Sequence, residues 1–375
     1  MSRKPLYLDY NSTTPMRPQV FEAMKPWLTT EYGNPSSTHQ AGQQARKAVE
    51  TARERLARLL GARPLEILFS SGGTESVNLA LKGTVAAKNG LQVATTEHHC
   101  VLRSAEAMAR SGVKLKYLEV DGQGQLRQNP EGPGLVSVMH VNNETGVIHP
   151  VGSIAKVSHE NKSIYHCDTV QSFGKIKINV KELGLDLMSV AAHKFGGPKG
   201  VGFLYKSDGI DLFPQMTGGE QEQGLRAGTE NVAGIVGMAV AAELAMAELA
   251  SESARLKALR DHFEAELLRK VPEIRINGAL GPRIHNTSSF LLPGGVESDL
   301  MIMRLDAEGI LVSAGSACAA GAIEPSHVLK AMGVPDDLAK CGLRVSFGWA
   351  SQDSDGDVLV AALVSALRDL GKAAV

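Results

Sequence analysis

Apolar positions follow two different periods along the first two thirds of the chain. Between residues 46 and 60 they recur every third or fourth position, which predicts an amphipathic helix, and similar segments occur at 102–109 and 153–159. Short apolar runs between them predict strands. The predicted strands are residues 66–70, 92–96, 113–120, 135–139, 163–167, 187–191 and 200–205. The alternation predicts an α/β fold with a mostly parallel sheet, helices on both faces, and the last strand added at an edge.

The last third of the chain has a different pattern. A long, alanine-rich helix is predicted from residue 231 to 250 and continues towards Arg269. Short strand-like segments at 274–276, 286–292 and 344–347 then surround a helix at 298–308, which predicts a smaller α+β domain. A chain of 375 residues is too long for one typical domain. We expect a large domain at 14–250 and a small domain formed by 1–13 and 251–375.

Charge and cysteine content exclude several classes of protein. The formal net charge of -1 gives no electrostatic reason to expect binding to nucleic acid or to a membrane surface. We find no signal-peptide pattern and no apolar run that could span a bilayer, so we expect a cytoplasmic protein. The four cysteines are far apart, form no CxxC pair, and should be free thiols. Cys100 and Cys167 lie in apolar segments and are expected to pack in the core, as Cys341 could.

Lys194 is a candidate for covalent chemistry. It directly follows an apolar run at 187–192, where a lysine is costly unless it has a function, although a surface-loop lysine is the simpler alternative. Asp168 ends another predicted strand, and the glycine-rich turn 71–74 joins a strand to a helix. An amine, a carboxylate and a phosphate-binding turn are the groups needed to hold pyridoxal phosphate. Alternatively, Asp168 and Thr74 could simply cap helices.

Two further polar segments follow predicted strands. His98 and His99 suggest a metal site, but neighbouring strand residues point to opposite faces, which favours one histidine stacked on a flat ring and available for proton transfer. Asn143 lies in a polar turn that could be a plain loop. Near the C-terminus, Arg344 could form a salt bridge or bind a substrate carboxylate.

Cys318 lies in a run of small residues at 313–322. Such a run has no bulky side chain to anchor it, so we expect a mobile loop and regard the cysteine as a candidate nucleophile. No lysine, arginine or histidine is adjacent in sequence to lower the pKa of its thiol. Any activation must therefore come from the site that the loop visits.

Together these segments resemble the cysteine desulfurases, pyridoxal-phosphate enzymes of the fold-type I aminotransferase superfamily, over nearly the whole chain. The motifs are Tyr7-Leu8-Asp9-Tyr10-Asn11, Thr13-Thr14-Pro15, Gly33-Asn34-Pro35-Ser36-Ser37, Ser71-Gly72-Gly73-Thr74-Glu75, Asn142-Asn143-Glu144, His193-Lys194, Gly197-Pro198-Lys199-Gly200, Arg226-Ala227-Gly228-Thr229-Glu230-Asn231 and Glu324-Pro325-Ser326-His327-Val328-Leu329. The run around Cys318 resembles that of the class I enzymes. The resemblance implies a large domain with a mostly parallel seven-stranded sheet and a smaller α+β domain.

The resemblance also implies a role for individual residues. Lys194 would carry the coenzyme covalently, and Cys318 would attack the substrate sulfur. The implied coenzyme contacts are Gly73, Thr74 and His193 at the phosphate, His98 stacked on the ring and handling protons, Asp168 at the ring nitrogen, Gln171 at the ring oxygen, and Thr229 reaching the phosphate from a second subunit. The implied substrate contacts are Asn143, Arg344 and Asn34. No resident metal is implied, although Cys318 could transiently bind a cluster. Ala191 replaces a frequent serine, which removes one phosphate hydroxyl, and Ser12 replaces a usual alanine.

The implied reaction converts L-cysteine to L-alanine and leaves a persulfide on Cys318. The sulfur would pass to an acceptor or scaffold protein, for iron–sulfur cluster assembly, tRNA thiolation or DNA phosphorothioation, and a homodimer is implied. One alternative is another pyridoxal-phosphate enzyme, such as an aminotransferase or a carbon–sulfur lyase without persulfide chemistry. A second is a catalytically silent scaffold for sulfur-carrier partners.

Overall fold

A computed structural model describes residues 5–315 and 325–371. The strands are β1 (Leu6–Tyr7), β2 (Ile67–Ser70), β3 (Leu91–Ala94), β4 (Leu115–Leu118), β5 (Gly134–Ser137), β6 (Ser163–Asp168), β7 (Leu187–Ala191), β8 (Gly202–Lys206), β9 (Arg275–Ile276), β10 (Thr287–Leu291), β11 (Ile310–Leu311), β12 (Ser313–Ala314) and β13 (Gly342–Ser346). The helices are α1 (Pro18–Thr29), α2 (Gln40–Leu60), α3 (Gly73–Gly83), α4 (His99–Arg110), α5 (Val151–Glu160), α6 (Val232–Ala247), α7 (Leu249–Lys270), α8 (Ser298–Ala307), α9 (His327–Ala331), α10 (Asp336–Ala339) and α11 (Asp355–Asp369).

The central sheet has seven strands in the order β2-β8-β7-β6-β5-β3-β4. All neighbouring pairs from β7 to β4 are parallel, which confirms the mostly parallel sheet. The prediction that residues 200–205 form an edge strand was wrong, because β8 lies between β2 and β7 and is antiparallel to both. Being antiparallel to two neighbours, β8 leaves β2 and β7 running in the same direction. At this end of the sheet the edge strand is β2 rather than β8, and β4 is the edge strand at the other end.

Both faces of this sheet are buried, as expected for a parallel sheet covered by helices. In β2, Phe69 packs into a core that also holds residues of α2, α5 and α6, whereas its neighbour Leu68 faces the opposite side, where α3 and α4 lie. The strand period of two therefore separates one apolar run into two cores. Because both sides need apolar residues, these strands are seen in the sequence as continuous apolar runs.

A second, antiparallel sheet has the order β12-β13-β10-β9. Its core contains side chains from α7, α8 and α11, and Leu8 near the N-terminus is fully buried in the same cluster. β1 pairs in parallel with β11, which ties the first residues to this part of the chain. The domain limits of 14–250 and 1–13 with 251–375 remain a prediction, and the limit at 250 falls at the start of α7.

The prediction of one continuous helix from residue 231 towards Arg269 was wrong. α6 ends at Ala247, α7 begins at Leu249, and the two axes differ by 71° at the intervening Glu248. α6 packs in the core of the large sheet and α7 packs in the core of the second sheet, so the change in direction lets each helix bury its own apolar side chains. Within the described part of the chain, no single helix is long and apolar enough to cross a membrane. Only this bent pair reaches the required length and hydropathy when its two helices are taken together.

Candidate active site

A cavity of about 350 Å³ lies at the carboxyl ends of the parallel strands. β6 ends at Asp168, and β7 leads through a short turn to Lys194. β2, which runs in the same direction as β7, ends just before the glycine-rich turn that starts α3 at Gly73. Carboxyl ends of parallel strands share one edge of a sheet, so these three features line the same cavity. Arg344 of β13 also lines it and brings in a cation from the second sheet.

The Lys194 amine is held over the N-terminal segment of the chain. Its Nζ donates to the carbonyl oxygens of Asn11, at 2.7 Å, and Ser12, at 2.8 Å. The three-residue turn that contains Lys194 follows β7 directly, so a fully buried strand sets the position of its backbone. The amine therefore projects into the cavity from a rigid element.

Asp168 is a buried carboxyl at the end of β6, with 6% of its surface exposed. Its Oδ1 accepts a hydrogen bond from the backbone N–H of Val170 at 2.9 Å. Burial raises the pKa of Asp168 to about 6, although the Val170 N–H and the charge of Lys194 both act to lower it. The alternative role as a helix cap is not observed, because Asp168 is followed by turns and not by a helix. A cation placed beside it would stabilise the charged form.

The turn before α3 leaves backbone N–H groups open to a ligand. Gly72, the residue that precedes the helix, has φ of 149°, and a Cβ added at Gly73 would lie 2.8 Å from Val170 Cγ2. Both positions therefore require glycine. Thr74 is not the N-cap, which was the simpler interpretation of that residue. An open concavity of about 480 Å³ faces this helix start and is also lined by Thr13 and His193. Free N–H groups at the start of an eleven-residue helix suit an anion.

His193 contributes a neutral imidazole to that concavity. Its Nδ1 lies 3.1 Å from Thr13 Oγ1. Burial, together with the charges of Lys194 and Lys199, lowers the pKa of His193 to about 4. The ring is therefore uncharged at neutral pH and can donate one N–H without adding positive charge.

His98 and His99 lie at the start of α4 and not on a strand, so the argument from alternating strand faces does not apply to them. His98 is the N-cap, and its Nδ1 accepts from the backbone N–H of Cys100 at 3.1 Å. Burial and the charge of Lys194 lower the pKa of His98 to about 4, which makes the ring neutral at neutral pH. No group of three or more histidine, cysteine, aspartate or glutamate side chains suited to a metal was found within residues 5–315 and 325–371.

The cysteines differ in their surroundings. Cys167 is fully buried in the core of the large sheet and Cys341 in that of the second sheet. Cys100 is partly buried and packs against the core that α3 and α4 form, as expected, and it also lines the cavity, with its Sγ 3.0 Å from His98 Nδ1. It reaches the cavity because α4 begins at His99, at the edge of the cavity. Burial raises the pKa of the Cys100 thiol well above its ordinary value, so it remains protonated.

Arg344 has unused hydrogen-bonding capacity although it is 3% exposed. Its Nη1 donates to the Asn143 carbonyl at 2.9 Å, and its Nη2 donates to Asp9 Oδ1 and Ser12 Oγ, both at 2.7 Å. Among the side chains described, Arg344 Nε and Asn143 Oδ1 are buried without a hydrogen-bond partner. Buried polar atoms are normally paired, so these two indicate a polar ligand in the cavity.

Cys318 lies outside the described residues. The nearest described residues on either side that line the cavity are Gly315 and His327. The His327 ring packs 4.4 Å from that of His99, and its Nε2 lies 2.9 Å from the Glu97 carbonyl oxygen. Described residues on both sides of Cys318 therefore line the cavity.

The comparisons with known proteins agree with this geometry. The family model for aminotransferase class-V matches residues 6–359. The cysteine desulfurase IscS of Dictyoglomus turgidum is 44% identical and aligns over 94% of this chain and 92% of its own length. This chain belongs to the cysteine desulfurases of the aminotransferase class-V family.

Solved structures support the same assignment. A NifS-like protein superimposes with a TM-score of 0.88 at 33% identity, covering 97% of this chain and 100% of that one. A structure described as SspA in complex with cysteine superimposes with a TM-score of 0.79 at 34% identity, covering 91% of this chain and 98% of that one. The resemblance seen in the sequence motifs and the fold expected from it are thus confirmed. Members of this family use pyridoxal phosphate.

Two residues that the sequence motifs assign to the desulfurase site do not line the cavity in this chain. Thr229 is exposed, and Asn231, rather than Thr229, is the N-cap of α6. Asn34 is also exposed, and its Oδ1 accepts from the backbone N–H of Ser36 at 2.9 Å. The roles of Thr229 at the phosphate and Asn34 at the substrate remain predictions.

Several cavity residues of this desulfurase were not predicted. His327 lies inside a motif that we quoted without giving that residue a role, and Ser12 lies between two quoted motifs and was noted only as a replacement of a usual alanine. Cys100 was expected only to pack in the core. The turn residue Lys175 contacts Gln171 behind the cavity. The available signals were a polar residue within a recognised motif for His327 and the departure from alanine for Ser12. No comparable signal pointed to Lys175.

Proposed function

We propose that this desulfurase takes sulfur from L-cysteine, releases L-alanine and holds the sulfur as a persulfide on Cys318 for an acceptor protein. The observation that carries the proposal is one cavity shared by the Lys194 amine, the Asp168 carboxyl and the Arg344 guanidinium. The amine and carboxyl suit a pyridine aldehyde, and the guanidinium suits the carboxylate of an amino acid. The relative described as SspA in complex with cysteine supports this choice of substrate.

The side chains fit pyridoxal phosphate as the coenzyme. Lys194 would hold it covalently, and Asp168 would pair with its ring nitrogen, where the positive charge would relieve the cost of a buried carboxylate. The glycine-rich start of α3, with Thr74 and His193, would hold the phosphate. His98 would stack on the ring, and Gln171 would contact the ring oxygen. When bound, the coenzyme supplies an electron-withdrawing ring that accepts the electron pair of a broken substrate bond.

Two side chains in the cavity can move protons. Lys194 Nζ can take a proton from the substrate α carbon and return one, because a lysine next to a bound ring works as a general base once it is neutral. The His98 ring is uncharged at neutral pH, and its Nδ1 accepts from the Cys100 backbone N–H, so the neutral ring carries its proton on Nε2. It can therefore donate a proton from Nε2 towards the substrate, and it takes up a proton only at Nδ1.

The substrate carboxylate would bind to Arg344 and Asn143. Arg344 is already fixed by Asp9, Ser12 and the Asn143 carbonyl, and its buried Nε has no partner among the described side chains. A carboxylate at Nε would satisfy that donor and gain a charge-assisted hydrogen bond. Fixing the carboxylate orients the substrate with its amine towards Lys194.

Cys318 would act as the nucleophile towards sulfur. It is three residues along the chain from Gly315, which lines the cavity. Its thiolate would attack the substrate sulfur, a sulfur–sulfur bond would form, and the carbon–sulfur bond would break. The carbon fragment keeps the bonding pair, takes a proton and leaves as alanine. Cysteine and one thiol thus give alanine and one persulfide, and no external oxidant is needed.

A homodimer would complete the phosphate site. The concavity in front of α3 is open, and Thr229 is exposed and does not line the cavity of its own chain. In a dimer the partner subunit's Thr229 would add a hydroxyl to the phosphate. This hydroxyl would compensate in part for Ala191, which has none.

The proposal is tested by replacing Cys318. The purified protein should be yellow, and C318A should keep the yellow coenzyme but lose alanine formation from cysteine. C341A is the matched control, because Cys341 is buried in the core of the second sheet, and it should form alanine at the rate of the wild type. K194A should lose the covalently bound coenzyme. A wild-type protein that takes up no coenzyme would exclude the proposed function.

The main alternative is a coenzyme-dependent aminotransferase or carbon–sulfur lyase without a persulfide. Such an enzyme would be almost unaffected by C318A, so the same experiment separates the two functions. Labelling the reaction with cysteine that carries isotopic sulfur adds a direct readout, since only the proposed desulfurase retains the sulfur on the protein until a reductant or an acceptor removes it.

A further inference from the structure

Lys175 is a second amine close to the coenzyme site. It is partly buried in the turns after β6, and its Nζ donates to Gln171 Oε1 at 3.0 Å. It does not line the active-site cavity of about 350 Å³. Instead it lines a smaller cavity of about 60 Å³ that also contacts Lys194. Lys194 lines both cavities, so Lys175 approaches the site from behind the Lys194 side chain.

Lys175 and a backbone carbonyl together fix the orientation of the Gln171 amide. Gln171 Nε2 donates to the Asn11 carbonyl at 2.8 Å, while its Oε1 accepts from Lys175. A carbonyl can only accept, and the protonated form of Lys175 can only donate, so rotating the amide by 180° would place two acceptors together at Asn11 and, in that form, two donors together at Lys175. The nitrogen of Gln171 therefore remains on the side of Asn11, and it has a second N–H for a ligand in the cavity that Gln171 lines.

We propose that Lys175 is a positioning residue of the coenzyme site, which holds the Gln171 amide so that its N–H, and not its oxygen, meets the ring oxygen of the coenzyme. The proposal rests on the function proposed above. Lys175 itself would touch neither coenzyme nor substrate and would act through Gln171.

Lys175 carries its charge at a cost to the fold, and only part of the protein carries that charge at neutral pH. Burial, and then the charges of Lys194 and Arg344, lower the pKa of Lys175 to about 7. An apolar side chain of similar length would fill the same space without that desolvation cost. A lysine that only supported the structure would therefore be a poor choice at this position. Its hydrogen bond to Gln171 is the benefit that we assign to it.

The test compares single and double variants of Lys175 and Gln171. Apoprotein is titrated with pyridoxal phosphate, and the coenzyme Kd is read from the visible absorbance band. K175M should bind the coenzyme about ten-fold more weakly, the loss expected for a hydrogen bond to a charged group. K175R keeps a donor and should remain within about three-fold of the wild type. K177M is the matched control, because Lys177 is exposed two residues away, and its Kd should not change.

Two further measurements show whether Lys175 acts through Gln171. Q171L should weaken coenzyme binding by a similar factor, and the double variant K175M/Q171L should bind no more weakly than Q171L, because Lys175 then has no amide to hold. The apoprotein of K175M should melt at the same temperature as the wild type or higher, since a buried charge has been removed. A purely structural role would lower that temperature.

The inference is overturned if K175M binds the coenzyme as tightly as the wild type. It is also overturned if the losses of K175M and Q171L multiply in the double variant, because that result would mean independent action. In both cases the wild type still binds coenzyme and forms alanine, so the proposed function is unaffected. A wild type without coenzyme affinity would exclude both proposals.

Discussion

Arg344 Nη2 donates to Ser12 Oγ at 2.7 Å, so a hydroxyl from the N-terminal segment fixes a guanidinium of the second sheet. The same nitrogen also donates to Asp9. The resemblance to other desulfurases suggests alanine at position 12, which could not make this contact. In this protein the proposed carboxylate site therefore has one more fixed hydrogen bond before substrate arrives, and less ordering is needed when it binds.

We predict that S12A raises the KM for cysteine about five-fold and leaves kcat nearly unchanged. The hydroxyl contributes about 1 kcal/mol to holding Arg344, and Asp9 still holds the same nitrogen. Steady-state alanine formation measures both constants, and S36A, an exposed serine, serves as the control. If the KM of S12A equals that of the wild type, Asp9 alone positions the guanidinium.

The buried carboxyl of Asp168 should make the apoprotein less stable. Burial raises its folded pKa from 3.8 to about 6, so the folded state increasingly loses free energy relative to the unfolded state above pH 3.8, and the loss is complete above about pH 6. This difference between the unfolded and folded pKa values corresponds to about 3 kcal/mol of unfolding free energy. We predict that D168N apoprotein is more stable than wild type by up to that amount near neutral pH, with the difference vanishing near pH 4.

Urea unfolding of the two apoproteins at both pH values measures this difference. The same substitution should weaken coenzyme binding, because an amide cannot neutralise a protonated ring nitrogen. A D168N apoprotein that is less stable than the wild type near neutral pH would show that the carboxylate stabilises the fold, contrary to the prediction.

Acid should destabilise the large sheet through His166. Its ring is fully buried between the hydroxyls of Ser137, at 2.8 Å, and Ser189, at 2.9 Å, and burial lowers its pKa to about 3. A group with a depressed folded pKa contributes stability above its unfolded value of 6.5 and loses that contribution as the pH falls towards 3. H166Q should therefore reduce the slope of unfolding free energy against pH by about 1.4 kcal/mol per unit between pH 6 and 4.

The slope is obtained from denaturant unfolding at several pH values within that range. Equal slopes for H166Q and the wild type would mean that His166 becomes protonated in the folded protein.

Mixing two defective variants tests the shared phosphate site. K194A lacks the amine and T229A lacks the hydroxyl that we assign to the neighbouring subunit. In a mixed dimer the T229A chain keeps its own Lys194 and receives the hydroxyl of the K194A chain, so one complete site is restored. Random exchange should restore about a quarter of the wild-type sites. Two results would exclude a phosphate site shared between subunits. One is a T229A variant that binds the coenzyme as tightly as the wild type, and the other is a mixture that is no more active than its separate components.

The site at the strand ends could be predicted because it depends on local patterns. Lys194, Asp168 and the turn before Gly73 each follow an apolar run, and the ends of parallel strands meet at one edge. Arg344 comes from the second sheet, and no periodicity in the sequence places that sheet against the first. The residue type left a salt bridge and a substrate carboxylate open for Arg344, and only the resemblance chose between them.

The wrong predictions also concern contacts between distant parts of the chain. β8 was placed at an edge because a strand's apolar pattern records that both faces are buried but not which strands are its neighbours. The break between α6 and α7 has no glycine or proline to mark it, and only the packing of α7 against the second core explains it. The contact of Cys100 with the cavity was not predicted, because an apolar sequence does not show that the helix that begins at His99 starts at the cavity.

The position of β8 between β2 and β7 has a consequence for how the protein acquires its coenzyme. β2 pairs only with β8 in the sheet, and β8 is the last of the seven strands to leave the ribosome. Until β8 is made, the glycine-rich turn after β2, which is proposed to bind the phosphate, cannot be held beside Lys194, which follows β7. Vitamin B6 capture is therefore expected to come late in biogenesis, and a nascent chain that stops before residue 202 should emerge colourless.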